Sequence, residues 1–250
     1  MRQTFLLLLC APLIVTNFAC SKKIINAEVT NKNSLGKEIT YYYHGKEIAK
    51  RLCNMYDDCS GGSVPDGLIK FNDNEANTSY EGTYVNNKRE GTFVYYENKK
   101  LKTEANYSND KLDGIGKVYY ENGKVSTETN YKHGKHDGLM RTYYDDGNIK
   151  EEMSYKDDKL NGLMDSYYRN GRLEVEKTLR NGQLNGPSKH YDEDGNLEEE
   201  VFFVNGVTEG IHRMFYKNGK IKEEDGYRYG KKVSEKTYSE NGEMISSKTF

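Results

Sequence analysis

The chain has little proline, little excess charge and little apolar mass. Three prolines in 250 residues set it apart from the proline-rich disordered chains that its polarity would otherwise suggest. A formal net charge of −2, from 37 basic and 39 acidic side chains, lacks the clustered basic surface that a nucleic-acid partner requires. Apolar residues make up 35% and the mean hydropathy is −0.95, too low for a deep core. The one long apolar run, Phe5 to Val15, is shorter than the roughly 20 residues that span a bilayer. What is abundant is tyrosine, with 22 copies, a residue that favours strands. This balance predicts a thin β fold with two wetted faces.

From about residue 67 the chain repeats itself every 24 residues, and Gly138 to Asn161 (GLMRTYYDDGNIKEEMSYKDDKLN) is one copy. Steps of that length connect Gly114, Gly138, Gly162, Gly186 and Gly210. They also connect Tyr95, Tyr119, Tyr143, Tyr167, Tyr191 and Phe215, and the glutamates from Glu104 to Glu224. A repeat of this size means a solenoid, propeller or array. Around 67–90 the unit is blurred: Phe71 keeps register with Tyr95, but Tyr84 is one residue out of step with Tyr107.

Within a unit, Asn122-Gly123 and its relatives signal a two-residue type I′ hairpin, and His133-Gly134 marks a second tight turn. The expected fold is all-β, an elongated antiparallel meander of tandem hairpins. A two-residue loop at 122–123 would set Tyr120 opposite Val125, Val118 opposite Thr127 and Lys117 opposite Glu128. One face would then carry Tyr120, Val125 and Tyr131 and pack. The other would carry the Tyr95-to-Phe215 ladder and the glutamates. On that second face Lys117–Glu128, Arg141–Glu152, Lys189–Glu200 and Arg213–Glu224 would pair, while Asp165–Glu176 would set two like charges together. Strand lengths between loops are uneven, so the glycines at 114, 138, 162, 186 and 210 are expected to form bulges.

The chain offers few signs of a reaction. Its carboxylate pairs recur in every unit, so a unique acid–base pair does not stand out. His133 and His136 flank a turn without further ligands at metal spacing. The glycines sit at turns rather than in a phosphate-binding loop. No catalytic residue, metal or cofactor is expected. The remaining candidates for binding are Tyr95, Tyr119, Tyr143, Tyr167, Tyr191 and Phe215, because exposed aromatic rings give contact area at low entropic cost.

At the N-terminus, Met1-Arg2-Gln3, the apolar run and Asn17-Phe18-Ala19-Cys20-Ser21 resemble a bacterial lipoprotein signal with a lipobox. The resemblance implies a signal peptide over 1–19, lipidation at Cys20 and a place in the bacterial cell envelope. Cys53 and Cys59 then remain as an even pair in a compartment that permits disulfides, with free thiols the alternative. Residues 20–66 are expected to be a tether and a short cysteine segment, and 67–250 the repeat domain.

The pattern carried by Gly138, Tyr143, Tyr144, Gly147, Ile149, Glu152, Tyr155 and Gly162, with their 24-step relatives, resembles the MORN-repeat variant found in bacterial proteins of the YwqK antitoxin family. That resemblance implies a scaffold for protein contacts or phospholipid binding. The antitoxin label implies neutralising a toxin, which for an exported chain would have to act in the envelope, as an immunity protein's target does. The expected function is a non-enzymatic, lipid-anchored scaffold binding an envelope protein through its aromatic and charged face. The alternatives are an envelope antitoxin or immunity-like protein and a phospholipid head-group module, the latter disfavoured by the balanced charge.

Overall fold

The computed structural model describes residues 23–33, 36–53, 59–60 and 62–250; the expected signal segment and Cys20 lie outside them. The described strands form a single sheet. Residues 24–33 and 36–53, part of the 20–66 stretch expected as a tether and short cysteine segment, belong to it. Strand β1 (Ile24–Asn33) pairs antiparallel with β2 (Gly36–Tyr43), which pairs with β3 (Lys46–Cys53). Against β3 lies the short β4 (Cys59–Ser60), with Cys53 directly opposite Cys59 in the backbone register. The chain then returns to the other side of β1, where β5 (Gly67–Asp73) runs parallel to it.

This return makes the one dry core among the described residues. The alternate residues Ile25 and Ala27 of β1, Ile39 and Tyr41 of β2, and Ile69 and Phe71 of β5 share a face, and Val64 from the returning segment packs onto them. Ile25 and Ile69 are fully buried. The return is tied down further along the sheet, where Asn87 Oδ1 accepts from the Val64 amide at 2.8 Å. Asp66 Oδ1 likewise accepts from the Asn86 amide at 2.7 Å. These strands, with β6 (Thr78–Val85) beside β5, form a cap on the array.

From β7 (Lys88–Glu97) onward the sheet is a plain antiparallel meander to Met244–Thr249. Two kinds of turn alternate in it. His133-Gly134 is a two-residue turn with both residues left-handed, at φ 52° and 88°, which is the type I′ geometry that matches strand twist. The Asn122-Gly123 turn differs from the expectation. Only Gly123 is left-handed there, at φ 84°. Its amide donates to Tyr120 O at 2.9 Å, and the Tyr120 amide donates to Lys124 O at 2.8 Å. This is a three-residue loop, a type I turn closed by a left-handed glycine. Val125 therefore pairs with Tyr119 rather than Tyr120, and the register recovers beyond a bulge, with Thr127 opposite Val118 and Glu128 opposite Lys117.

The repeat glycines do sit in bulges. Thr129 faces Met140 while Tyr131 faces His136, so three residues around Gly138 oppose the single Asn130. Gly138 takes φ 115°, and a Cβ there would come 3.0 Å from Asn130 Cβ. Asn130 in turn donates from Nδ2 to Leu139 O at 2.7 Å, holding the bulge closed.

Candidate functional site

The registers place one line of side chains straight across the array. It runs Lys70, Glu81, Val94, Glu104, Lys117, Glu128, Arg141, Glu152, Asp165, Glu176, Lys189, Glu200, Arg213, Glu224 and Lys236, each opposite the next. Charges largely alternate along it. Arg141 Nε meets Glu152 Oε1 at 2.5 Å, and Arg213 Nε meets Glu224 Oε2 at 3.2 Å. Burial pushes the Glu224 carboxyl up, but hydrogen bonds from Lys236 and Arg213 outweigh this and hold it below its ordinary value. These partly exposed cross-strand pairs contribute roughly 0.2–1 kcal/mol each.

Asp165 is the fault in the line. It stands between Glu152 and Glu176, where neighbouring units place Arg141 and Lys189. Burial, then the charges of Glu176 and Glu152, raise its pKa above the ordinary 3.8. Its Oδ1 is enclosed and finds no hydrogen-bond partner among the described residues.

In Tyr119-Tyr120 and Tyr167-Tyr168 both hydroxyls bond to neighbouring units. Tyr119 Oη donates to Glu104 Oε2 at 3.1 Å, and Tyr167 Oη to Glu152 Oε2 at 3.2 Å, each reaching back one unit on the charged face. Burial and then the Glu152 and Asp165 charges push Tyr167 up to about 12. The second tyrosine reaches forward: Tyr144 Oη donates to Tyr167 O, Tyr168 Oη to Tyr191 O and Tyr216 Oη to Tyr238 O, all at 2.8 Å. The rings of Tyr119, Tyr143, Tyr167, Tyr191 and Phe215 are half-buried on the charged face.

Tyr95 is not part of that ladder. Its hairpin carries Lys99 where the other units have glycine, and it closes by a two-residue turn with Asn98 and Lys99 at φ 50° and 62°. The change of loop shifts the pairing, so Val94 takes the place opposite Glu104 and Tyr95 faces Tyr80 and Thr103. A one-residue shift moves a side chain to the other face of a sheet. Tyr95 therefore turns toward the cap's aromatic side, into a cleft with Phe71, Tyr80 and Tyr84.

A feature the repeat ladders hide lies further along the charged face. Phe202 occupies the position held by Asn106, Asn130, Ser154 and Thr178 in the preceding units. In those units the residue lies under the bulge glycine; Gly210 has no atom near its missing Cβ. Phe202 is 43% and Ile211 39% exposed. With Pro187, directly opposite Phe202, they line a cleft flanked by Glu200 and Arg213. The departure from the small polar residue of other copies is the sequence signal that finds it.

Among the described residues, Glu223, Asp225 and Glu235 bring carboxylate oxygens within 4.8 Å of one another. The arrangement already holds a cation from the chain itself. Lys232 Nζ lies 2.7 Å from Asp225 Oδ2 and 2.6 Å from Glu235 Oε2, and this hydrogen bond holds Glu235 below its ordinary value. Of the two turn histidines, His133 rests 3.1 Å from Asp113, while the His136 ring lies between Tyr131 and Tyr155 at 4.9 and 5.3 Å.

The model of the MORN repeat variant matches residues 89–109, 112–133, 137–157, 184–205 and 208–229. These repeats belong to the MORN repeat variant family. No curated protein gives a match to the chain. The MORN matches step over residues 158–183, the unit that carries Asp165 in the charged line. An array of MORN repeats is a repeat scaffold or binding module, with successive units presenting equivalent side chains along one face.

Proposed function

We propose that this chain is a non-enzymatic scaffold, held to a bacterial envelope membrane by a lipid on Cys20, that binds a protein partner through the charged face of its MORN array. The observation that carries the reading is the cleft of exposed Phe202 and Ile211 with Pro187, set between Glu200 and Arg213 on a face that carries largely alternating charges. Interfaces draw their affinity from a few aromatic and apolar anchors ringed by polar groups. Tyr191 and Phe215, half-buried on the same face, extend that anchor. The paired charges around it supply orientation more than affinity.

Site-specific photocrosslinking in the native envelope tests the partner face. A crosslinker at Phe202 is expected to capture a discrete partner, while one at Thr127, on the opposite face, captures none. Equal capture from both positions, or none from Phe202, removes the reading. The anchor is tested apart from it: Cys20→Ala is expected to move the chain from the membrane fraction to the soluble one.

A further inference from the structure

The two-residue turns of the array set one pair of residues after another along a rim of the charged face. Lys132 stands opposite Lys135, Lys156 opposite Lys159, Arg180 opposite Gln183 and Arg228 opposite Lys231. Among the described residues, every such pair of the array carries a cation except one. At Asn205-Gly206 the two places are taken by Val204 and Val207, 41% and 44% exposed. The valines continue the cleft of Phe202 and Ile211, about 420 Å³ in volume, because Phe202 and Val204 are alternate residues of one strand (Leu197–Val204) and share a face. A contiguous apolar patch rimmed by polar groups marks a binding surface.

The charges around this patch are of two kinds. The carboxylates are already engaged: Glu200 Oε2 lies 3.6 Å from Arg213 Nη1, and Glu209 Oε2 accepts from the Tyr229 amide at 2.8 Å. The cations at either end of the patch are not. Arg180, Arg228 and Lys231 are exposed, and no carboxylate among the described residues pairs with them. A Cβ at Gly230 would come 3.1 Å from Val207 Cγ1, so the turn between Arg228 and Lys231 lies against the valine. The free charge is therefore positive on both sides of an apolar centre. A second copy of this chain, seated on the patch by a two-fold axis, would set these cations against their own kind. A flat anionic membrane would meet Glu200 and Glu209 on the same face and leave the cleft unfilled. A peptide segment with an apolar side chain between carboxylates meets neither objection. Four strand spacings separate Arg180 from Arg228. That is roughly 19 Å, which an extended chain covers in about six residues.

We propose that the partner docks through an extended acidic segment, with an apolar side chain on Phe202, Val204 and Val207, one carboxylate at Arg180 and another at Arg228 and Lys231. This rests on the reading of the charged face as a protein-binding surface and names the chemistry that surface selects. Carbodiimide joins carboxylate to amine without a spacer, and applied in the native envelope it reports which side supplies the acid. Lys231 is expected to be linked, in peptides read by mass spectrometry, to an aspartate or glutamate of the same protein that a photocrosslinker at Phe202 captures. Links from Glu200 or Glu209 to lysines of that protein, or no link at Lys231, overturn the proposal and leave the partner reading standing. Loss of photocapture at Phe202 removes both. Reversing the three charges together, Arg180→Glu, Arg228→Glu and Lys231→Glu, is expected to lower photocapture about tenfold, the sum of three exposed ion pairs. Val204→Lys with Val207→Lys gives this turn the residues that flank His133-Gly134 and Asp157-Asp158, so the fold accommodates it, and is expected to lower capture as far. Capture untouched by either variant overturns the proposal. So does flotation of the Cys20→Ala chain with phosphatidylglycerol vesicles that is lost with the two lysines, which would assign the patch to a membrane.

Discussion

The cap and the array belong to one sheet, yet they hold together by different means. In residues 24–85 the chain doubles back on itself, and Ile25, Ala27, Ile39, Tyr41, Val64, Ile69 and Phe71 form a continuous dry cluster. From residue 86 onward, Met153 and Leu179 are the only buried apolar side chains among the described residues. The array replaces burial with addressing. The hydroxyls of Tyr120, Tyr144, Tyr168 and Tyr216 reach forward to a backbone carbonyl, and those of Tyr119 and Tyr167 reach back to a glutamate. The loops do the same: Asn122 Nδ2 donates to Asp145 O and Asn170 Nδ2 to Glu193 O, each in the next unit. A unit that cannot bury its own face depends on its neighbours, so a folded cap at one end limits fraying of the whole.

The largest expected effect comes from attacking the cap. Ile69→Ala should cost about 2–5 kcal/mol, because the side chain is fully enclosed and the site cannot collapse freely. Hydrogen exchange read by mass spectrometry separates two outcomes. Loss of protection confined to residues 24–85 supports two regions of unequal cooperativity. Uniform loss across the array would show that the two regions unfold as one.

Within the array, the bulge glycines should matter more than the loop glycines. Gly162→Ala forces a side chain into φ 124° and sets its Cβ 2.9 Å from Ser154 Cβ, so about 2–3 kcal/mol is expected. Gly171→Ala, at φ 83° with open space around it, should cost only roughly 1 kcal/mol. Urea midpoints of the two variants measure the difference, and equal costs would mean that the bulges are not under steric constraint. Tyr144→Phe should cost about 1 kcal/mol in the same assay, the value of one hydrogen bond to Tyr167 O.

Much of the array was legible in the sequence, and the reason is local. Once a turn is placed near Gly123 or Gly147, pairing follows by counting, and the register does set Lys117 opposite Glu128, Arg141 opposite Glu152 and Asp165 opposite Glu176. The loop type was not legible, because Asn-Gly fits a two-residue I′ turn and also the end of a three-residue loop. Nor was the cap: the parallel pairing of Ile25 with Ile69 joins residues far apart in the chain and has no local signature. The aromatic ladder from Tyr95 to Phe215 does not lie on one face as the 24-residue spacing predicts. Tyr95 left that face through its turn, and Phe202 entered view only where it broke the repeat.

The line of charges gives a smaller effect with a definite sign. Asp165 holds its proton to a higher pH in the folded chain than in the unfolded one. Its contribution to stability is therefore greatest below the ordinary carboxylate pKa and declines as pH rises through the raised value. Glu224, held low, acts oppositely: its contribution is present above the ordinary value and is lost as pH falls through its depressed one. Asp165→Asn should remove the decline, measured by urea unfolding below the carboxylate range and at neutrality. An unchanged pH slope would mean that the Asp165 carboxyl is solvated after all.

The smallest effect on stability should accompany the sharpest change in structure. The loops Glu121-Asn122-Gly123 and Glu97-Asn98-Lys99 differ only in their last residue, and they close differently. The three-residue form ends on a left-handed residue at φ 84°, where glycine meets no steric penalty. Lys99 instead sits at φ 62°, after a left-handed Asn98. Lys99→Gly should admit the three-residue form and move Tyr95 from the cap's cleft to the charged face, with a stability change within about 0.5 kcal/mol. NMR contacts between the Tyr95 ring and Tyr80 report the position directly. Their loss would make the boundary between cap and array the property of one turn residue; their persistence would assign it to the aromatic packing of Phe71, Tyr80 and Phe93.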